Sequence, residues 1–284
     1  MFELMFPALV ASLVMVGLHG YLGIHIIARG VIFVDLALAQ VAAMGWAAAN
    51  LGLGQWIGDL LGIPAAVAGY SVGLGATLIA AALFSIARME HDFVPQEAII
   101  GTVFVVASAA TILLAAQAPQ GAEHVEELLT GTLLWVTWTD ITRIAIVYAG
   151  IGIVHWRFRD RFLMLSLDPE AARTKGLSVA RWDFLFYALF GIMVTMSVAI
   201  VGVLLVFSFL VIPAVIAFLF TSTPSRLLVI AWTSGVVATC LGLFVSFQAD
   251  LPTGPVVVCS FAFVLLAAFA LRPVVGRVAA HKNR

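Results

Sequence analysis

Charge is scarce in this sequence. Of 284 residues, 10% are Asp, Glu, Lys or Arg, against roughly a quarter in a soluble domain. The shortage runs along the whole chain and accompanies a 63% hydrophobic content and a mean hydropathy of +1.13. Most of the chain therefore belongs in lipid, as a polytopic membrane protein. Lysine is scarcer still: Lys175 and Lys282 follow Thr174 and His281. A phosphate-binding Walker A loop needs Gly-Lys before Ser or Thr, so an ATP-driven protein of this sequence needs another subunit for the nucleotide. HExxH, GxSxG and paired carboxylates at a span end are also absent, which argues against an enzyme. No basic stripe suits nucleic acid, and the net charge is −1. The two cysteines, Cys240 and Cys259, lack CxxC spacing and read as reduced packing residues. The N-terminus lacks the basic region and cleavage site of a signal peptide and reads as a first spanning helix.

What is present is a series of long apolar runs. A spanning helix takes about 20 mainly apolar residues. Runs of that kind fall at about 5–28, 31–53, 64–87, 98–117, 136–156, 182–200, 202–220, 227–247 and 255–271. The seventh is interrupted by Pro213 and joined tightly to the sixth. The expectation is an all-α polytopic membrane protein with eight or nine transmembrane helices, forming one transmembrane domain over residues 1–284.

Basic residues near span ends set orientation. With the N-terminus outside, Arg29, Arg88, Arg157, Arg159, Arg161, Arg173, Lys175, Arg181, Arg226, Arg272, Arg277, Lys282 and Arg284 fall on the cytoplasmic side. Only Arg143 breaks the pattern. Glu3, Asp59, Glu123, Glu126, Glu127 and Asp250 take the opposite face. The expectation is N-terminus outside and C-terminus inside. The longest polar island, about 157–182, then lies in the cytoplasm. Within it Asp168 suits an N-cap, Pro169 the first helical position and Gly176 the C′ position. A short helix there is either a solvated loop element or a docking surface.

Polar groups inside apolar spans are functional candidates by default. Counting 1.5 Å per residue from Arg29, Asp35 lies roughly 9 Å into the membrane and Gln40 roughly 16 Å. Five residues turn a helix by about 140°, so the two do not share a face. Gln40 could equally be an interhelical hydrogen-bonding residue, and Asp35 a salt bridge or cap near the inner surface. His19 and His25 read as hydrogen-bonded packing residues. Gly17, Gly20 and Gly23 allow a close helix contact. Glu123, His124, Glu126 and Glu127 form an acidic outer loop. It is either simply solvated or an entrance whose field favours cations.

Four blocks, in order over nearly the whole length, resemble the permease subunits of the ABC transporter family for zinc, manganese and iron(II) uptake. They are "GYLGIHIIARGVIFVDLALAQVAAMG", the stretch from "QEAIIGTVF" to "LLTGTLLWV", "LSLDPEAARTKGLSV" and "VGVLLVFSFLVIPAVIAFLF". The resemblance implies an ABC importer permease fold and two copies forming a pathway on a shared axis. It also implies two ATPase subunits docked below and an extracytoplasmic metal-binding protein above, at a bacterial cytoplasmic membrane. The ATPase contact would map to Pro213, Ala214 and Ala217 and the turn to Arg226, with Pro213 ending or bending its span. The family carries Asp and, four residues later, His in its first block, side chains thought to contact metal. Aligned on the glycines, Gln40 takes the His position and Leu36 the Asp position, with Asp35 one residue early. The family pair is not intact here.

The expected function is the membrane subunit of an ATP-driven importer of zinc, manganese or iron(II). The chain binds no cofactor itself, and the metal is cargo. A permease for a chelated metal or other small solute, and a stand-alone secondary transporter, are the alternatives.

Overall fold

A computed structural model describes residues 2–90, 95–117, 131 and 133–282. Among these the chain forms helices and no strand. The long ones are α1 (Phe2–Arg29), α2 (Val34–Ala48), α4 (Ala65–Glu90), α5 (Gln96–Ala115), α6 (Trp138–Arg157), α9 (Val179–Phe220), α10 (Pro224–Ala249) and α11 (Thr253–Lys282). The short ones are α3 (Gly54–Leu61), α7 (Arg159–Leu167) and α8 (Pro169–Thr174). A helix satisfies its own backbone hydrogen bonds, which lipid cannot do. The apolar runs therefore have little alternative.

Among the described residues seven helical stretches are long and apolar enough to cross a membrane. One of them, α9, has 42 residues, about 63 Å at helical rise and twice the hydrocarbon thickness. It contains two spans' length, divided at Gly202, whose φ of 76° and ψ of 164° lie where essentially only glycine goes. This corrects the expectation that Pro213 ends its span. That proline sits inside the helix, which continues to Phe220, because a spanning helix tolerates proline where neighbours cover the freed backbone. Counting the halves of α9 separately gives eight segments, in rough agreement with the sequence. The 20-residue α6 has the length of a span but carries Asp140 and Arg143 and is not among the seven.

The helices group into two compact units. One draws on Met1–Ile27, Thr132–Ala145 and Leu204–Arg284. Here α1 meets the second half of α9 so closely at Gly23 that a Cβ would overlap the Leu210 carbonyl. The Trp232 indole N–H donates to the Gly17 carbonyl at 2.9 Å; Gly20 and Gly23 are close-packing positions, whereas a Cβ on Gly17 would meet nothing within 4 Å. Ile24, Ala214, Ala217, Leu227 and Ala231 form a core of this unit. Cys240 and Cys259 are free and exposed on its helices rather than packed as expected.

The other unit comprises Ala28–Gly131 and Ile146–Val203. Its centre is α2, packed against α4 and α5. Gly45 and Gly73 let α2 and α4 touch backbone to backbone. At its polar end α7 and α8 fold back as a helical pair around Leu165, Ala172 and Val179. The capping is as the sequence indicated: the Asp168 carboxylate accepts from the Ala171 N–H at 3.0 Å, Pro169 opens α8, and Gly176 follows the Lys175 cap.

Candidate functional site

The site grows from the turn between α1 and α2. Arg29 ends α1, Gly30 reverses the chain at a φ of 70°, and α2 begins at Val34 with Asp35 in its first turn. Asp35 is 1% exposed. One of its oxygens, Oδ1, accepts from the Leu36 N–H at 2.8 Å, while Oδ2 is buried without a donor. A carboxylate suits this position because the first-turn N–H groups of a helix are unsatisfied and carry partial positive charge.

The same turn receives a second carboxylate. Glu97, at the start of α5, places Oε1 2.9 Å from the Phe33 N–H, and so caps α2 from outside. Its Oε2 is also buried without a donor. Glu97 thus reaches the backbone two residues before Asp35. Two acidic side chains thus stand together at two helix starts, each with one free oxygen. Oxygen donors of this kind suit hard divalent cations such as manganese. The sequence contained no local sign of the pair: Glu97 belongs to the "QEAIIG" block, far along the chain, and only the packing of α2 on α5 brings it to Asp35.

Gln40 is buried in α2 on a different side of the helix from Asp35, as the 140° spacing requires. Among the described residues no group of three or more His, Cys, Asp or Glu side chains is placed to hold a metal ion. Glu123, His124, Glu126 and Glu127 lie outside the described residues. The histidines of α1 are packing residues, as expected. His19 Nδ1 lies 2.9 Å from the Met15 carbonyl, with Phe209 beside the ring. His25 meets the edge of Tyr21.

The residues expected to face an ATPase separate into two kinds. Pro213, Ala214 and Ala217 are buried, the two alanines in the core with Ile24 and Ala231. Arg226 is exposed in the first turn of α10. The α7–α8 pair also presents an exposed face, with Glu170, Arg173 and Lys175. A cavity of about 420 Å³ lies beside it, lined by Arg173, Gly176, Leu177, Ser178, Val179 and Ala180.

The model of the ABC 3 transport family matches residues 1–272. The chain belongs to this family. It is 26% identical over 219 residues to the chelated iron transport system membrane protein YfeC of Yersinia pestis, spanning 77% of this chain and 72% of that protein. It is 25% identical over 277 residues to the manganese transport system membrane protein MntC of Listeria monocytogenes, spanning 97% and 93%. Its fold is similar to that of a chain in the structure of PsaBC from Streptococcus pneumoniae in complex with Fab. The TM-score is 0.74 and the identity 24%, over 94% of this chain and 91% of that one. The protein is thus a multi-pass membrane protein with the permease fold of an ABC transport family.

Proposed function

We propose that this chain is the membrane-spanning subunit of an ATP-driven importer of a divalent transition-metal ion, manganese, iron(II) or zinc. It works as a homodimer in a bacterial inner membrane, with its N-terminus outside and C-terminus inside. An ATP-binding subunit docks on the cytoplasmic side and a metal-binding protein on the outer side. The observation that carries this reading is the Asp35–Glu97 pair, with its two donor-free oxygens at the start of a helix lying inside a membrane-spanning chain. The names of the Listeria and Yersinia relatives support metal as the cargo.

A pair of carboxylates is a weaker holder than a full ligand cage, and passage requires a site that a cation can leave. Asp35 and Glu97 would line the inner part of the path and Gln40 a wall nearer the bilayer centre. Glu123, His124, Glu126 and Glu127 would draw cations to the outer mouth. The ATPase would meet the turn up to Arg226, which lies beyond the buried Pro213, Ala214 and Ala217, together with the exposed face of α7–α8.

The test is uptake by the purified complex in liposomes, with its ATPase and binding protein. ATP-dependent accumulation of one of the three free metals supports the reading. Uptake only of a chelated metal replaces the cargo, and uptake without ATP points to a stand-alone transporter.

A further inference from the structure

A buried guanidinium sits beside this site and is left unexplained by it. The side chains of Arg29 and Asp183 are both 0% exposed and meet at 2.6 Å between Nη1 and Oδ1. Arg29 Nε donates to the Ser166 hydroxyl at 2.9 Å. The guanidinium carbon lies 3.9 Å from the centre of the Phe186 ring and 5.9 Å from that of Tyr187. His155 closes the box, stacked on Phe162 and edge-on to Phe186. Burying two charges costs several kcal/mol per ion, and a well-packed apolar pair is commonly as stable or more so. Stability alone is therefore a poor reason for the pair.

Direction is a better one. Arg29 is the last residue of α1, one residue before the Gly30 turn that leads to Asp35. Its fork reaches two other helices, α7 through Ser166 and α9 through Asp183. A lysine, as a point charge, could not hold both at fixed angles. On the far side of the same turn, Glu97 holds the Phe33 N–H. The segment from Arg29 to Phe33 is thus gripped at both ends, each time by a directional polar contact from a different helix. Meanwhile α7 and α8 share one small core, and Glu170, Arg173 and Lys175 are exposed beside it.

We propose that Arg29 is a positioning residue: anchored to α9 by Asp183, it transmits displacement of the α7–α8 pair through Ser166 to the α1–α2 turn, and so sets where Asp35 stands. This rests on the reading that α7–α8 faces the ATPase. The joint is a contiguous set of contacts between elements, which is the physical form energetic coupling takes when it is local.

Hydrogen exchange of residues 30–36 in the assembled complex, with and without a non-hydrolysable ATP analogue, tests the joint directly. In the wild type, nucleotide changes exchange there by about fivefold or more, the lower range of ordinary coupling between sites. Ser166→Ala and Arg29→Lys abolish that change while assembly and basal ATP hydrolysis persist, and Ser166→Thr retains it. Ser166→Ala leaves the ion pair whole, so it decides the matter if Arg29→Lys fails to fold. A wild-type-sized change in Ser166→Ala overturns the proposal, as does its absence from the wild type. Uptake of manganese(II), iron(II) and zinc(II) is measured on the same preparations. A joint that responds to nucleotide without uptake of any of these metals leaves the proposal standing and removes the cargo reading.

Discussion

At the scale of single residues, Asp35 and Glu97 have different tasks despite equal charge. Asp35 spends one oxygen on its own helix start, whereas Glu97 spends one on the backbone of the preceding turn. Asp35→Asn keeps the shape and the local acceptor but removes the charge that a cation meets. Uptake falls about tenfold, equivalent to about 1.4 kcal/mol, with little change in melting temperature. Glu97→Ala removes the charge and also the cap, a loss of about 0.5–2 kcal/mol of stability. It therefore lowers both uptake and the melting temperature, while Glu97→Gln, which keeps an acceptor oxygen, recovers the melting temperature and not the uptake. Parallel transport assays and thermal melts of the three variants separate the roles. Equal melting of Glu97→Ala and wild type contradicts the cap.

At the scale of elements, two backbone features carry consequences that a uniform apolar helix would not. Gly202→Ala forces a side chain into the conformation that divides α9, at about 1–3 kcal/mol, and lowers the melting temperature of the purified chain. Gly131 presses on the same break, where a Cβ would overlap the Val201 carbonyl, so Gly131→Ala is more damaging than Gly202→Ala. Asp168→Ala costs the α8 cap about 1 kcal/mol. It shows as faster hydrogen exchange in residues 169–175 with the membrane helices unchanged. Local signals of this kind were legible in the sequence: Asp168, Pro169 and Gly176 each act within a few residues of themselves. The break at Gly202 was harder to see, because a glycine in an apolar run looks like any other small residue, while Pro213 is the conspicuous breaker and sits in continuous helix. The Asp35–Glu97 and Arg29–Asp183 partnerships were illegible for a different reason. Each joins residues distant in sequence, and only the packing of helices decides which polar groups share a place.

At the scale of the whole molecule, composition alone settled the broad class, since so few charges along so long a chain leave lipid as the solvent. Four blocks in order resembled one family, and the family match over residues 1–272 bears that out. What neither supplies is the cargo, which depends on a handful of oxygen donors rather than on the fold. The most direct measurement is ATP-dependent uptake of manganese(II), iron(II) and zinc(II) into liposomes containing the complete complex, with wild-type chain and with Asp35→Asn. The wild type accumulates at least one metal and the variant loses about tenfold, equivalent to about 1.4 kcal/mol, at unchanged assembly. Equal uptake by both would contradict it.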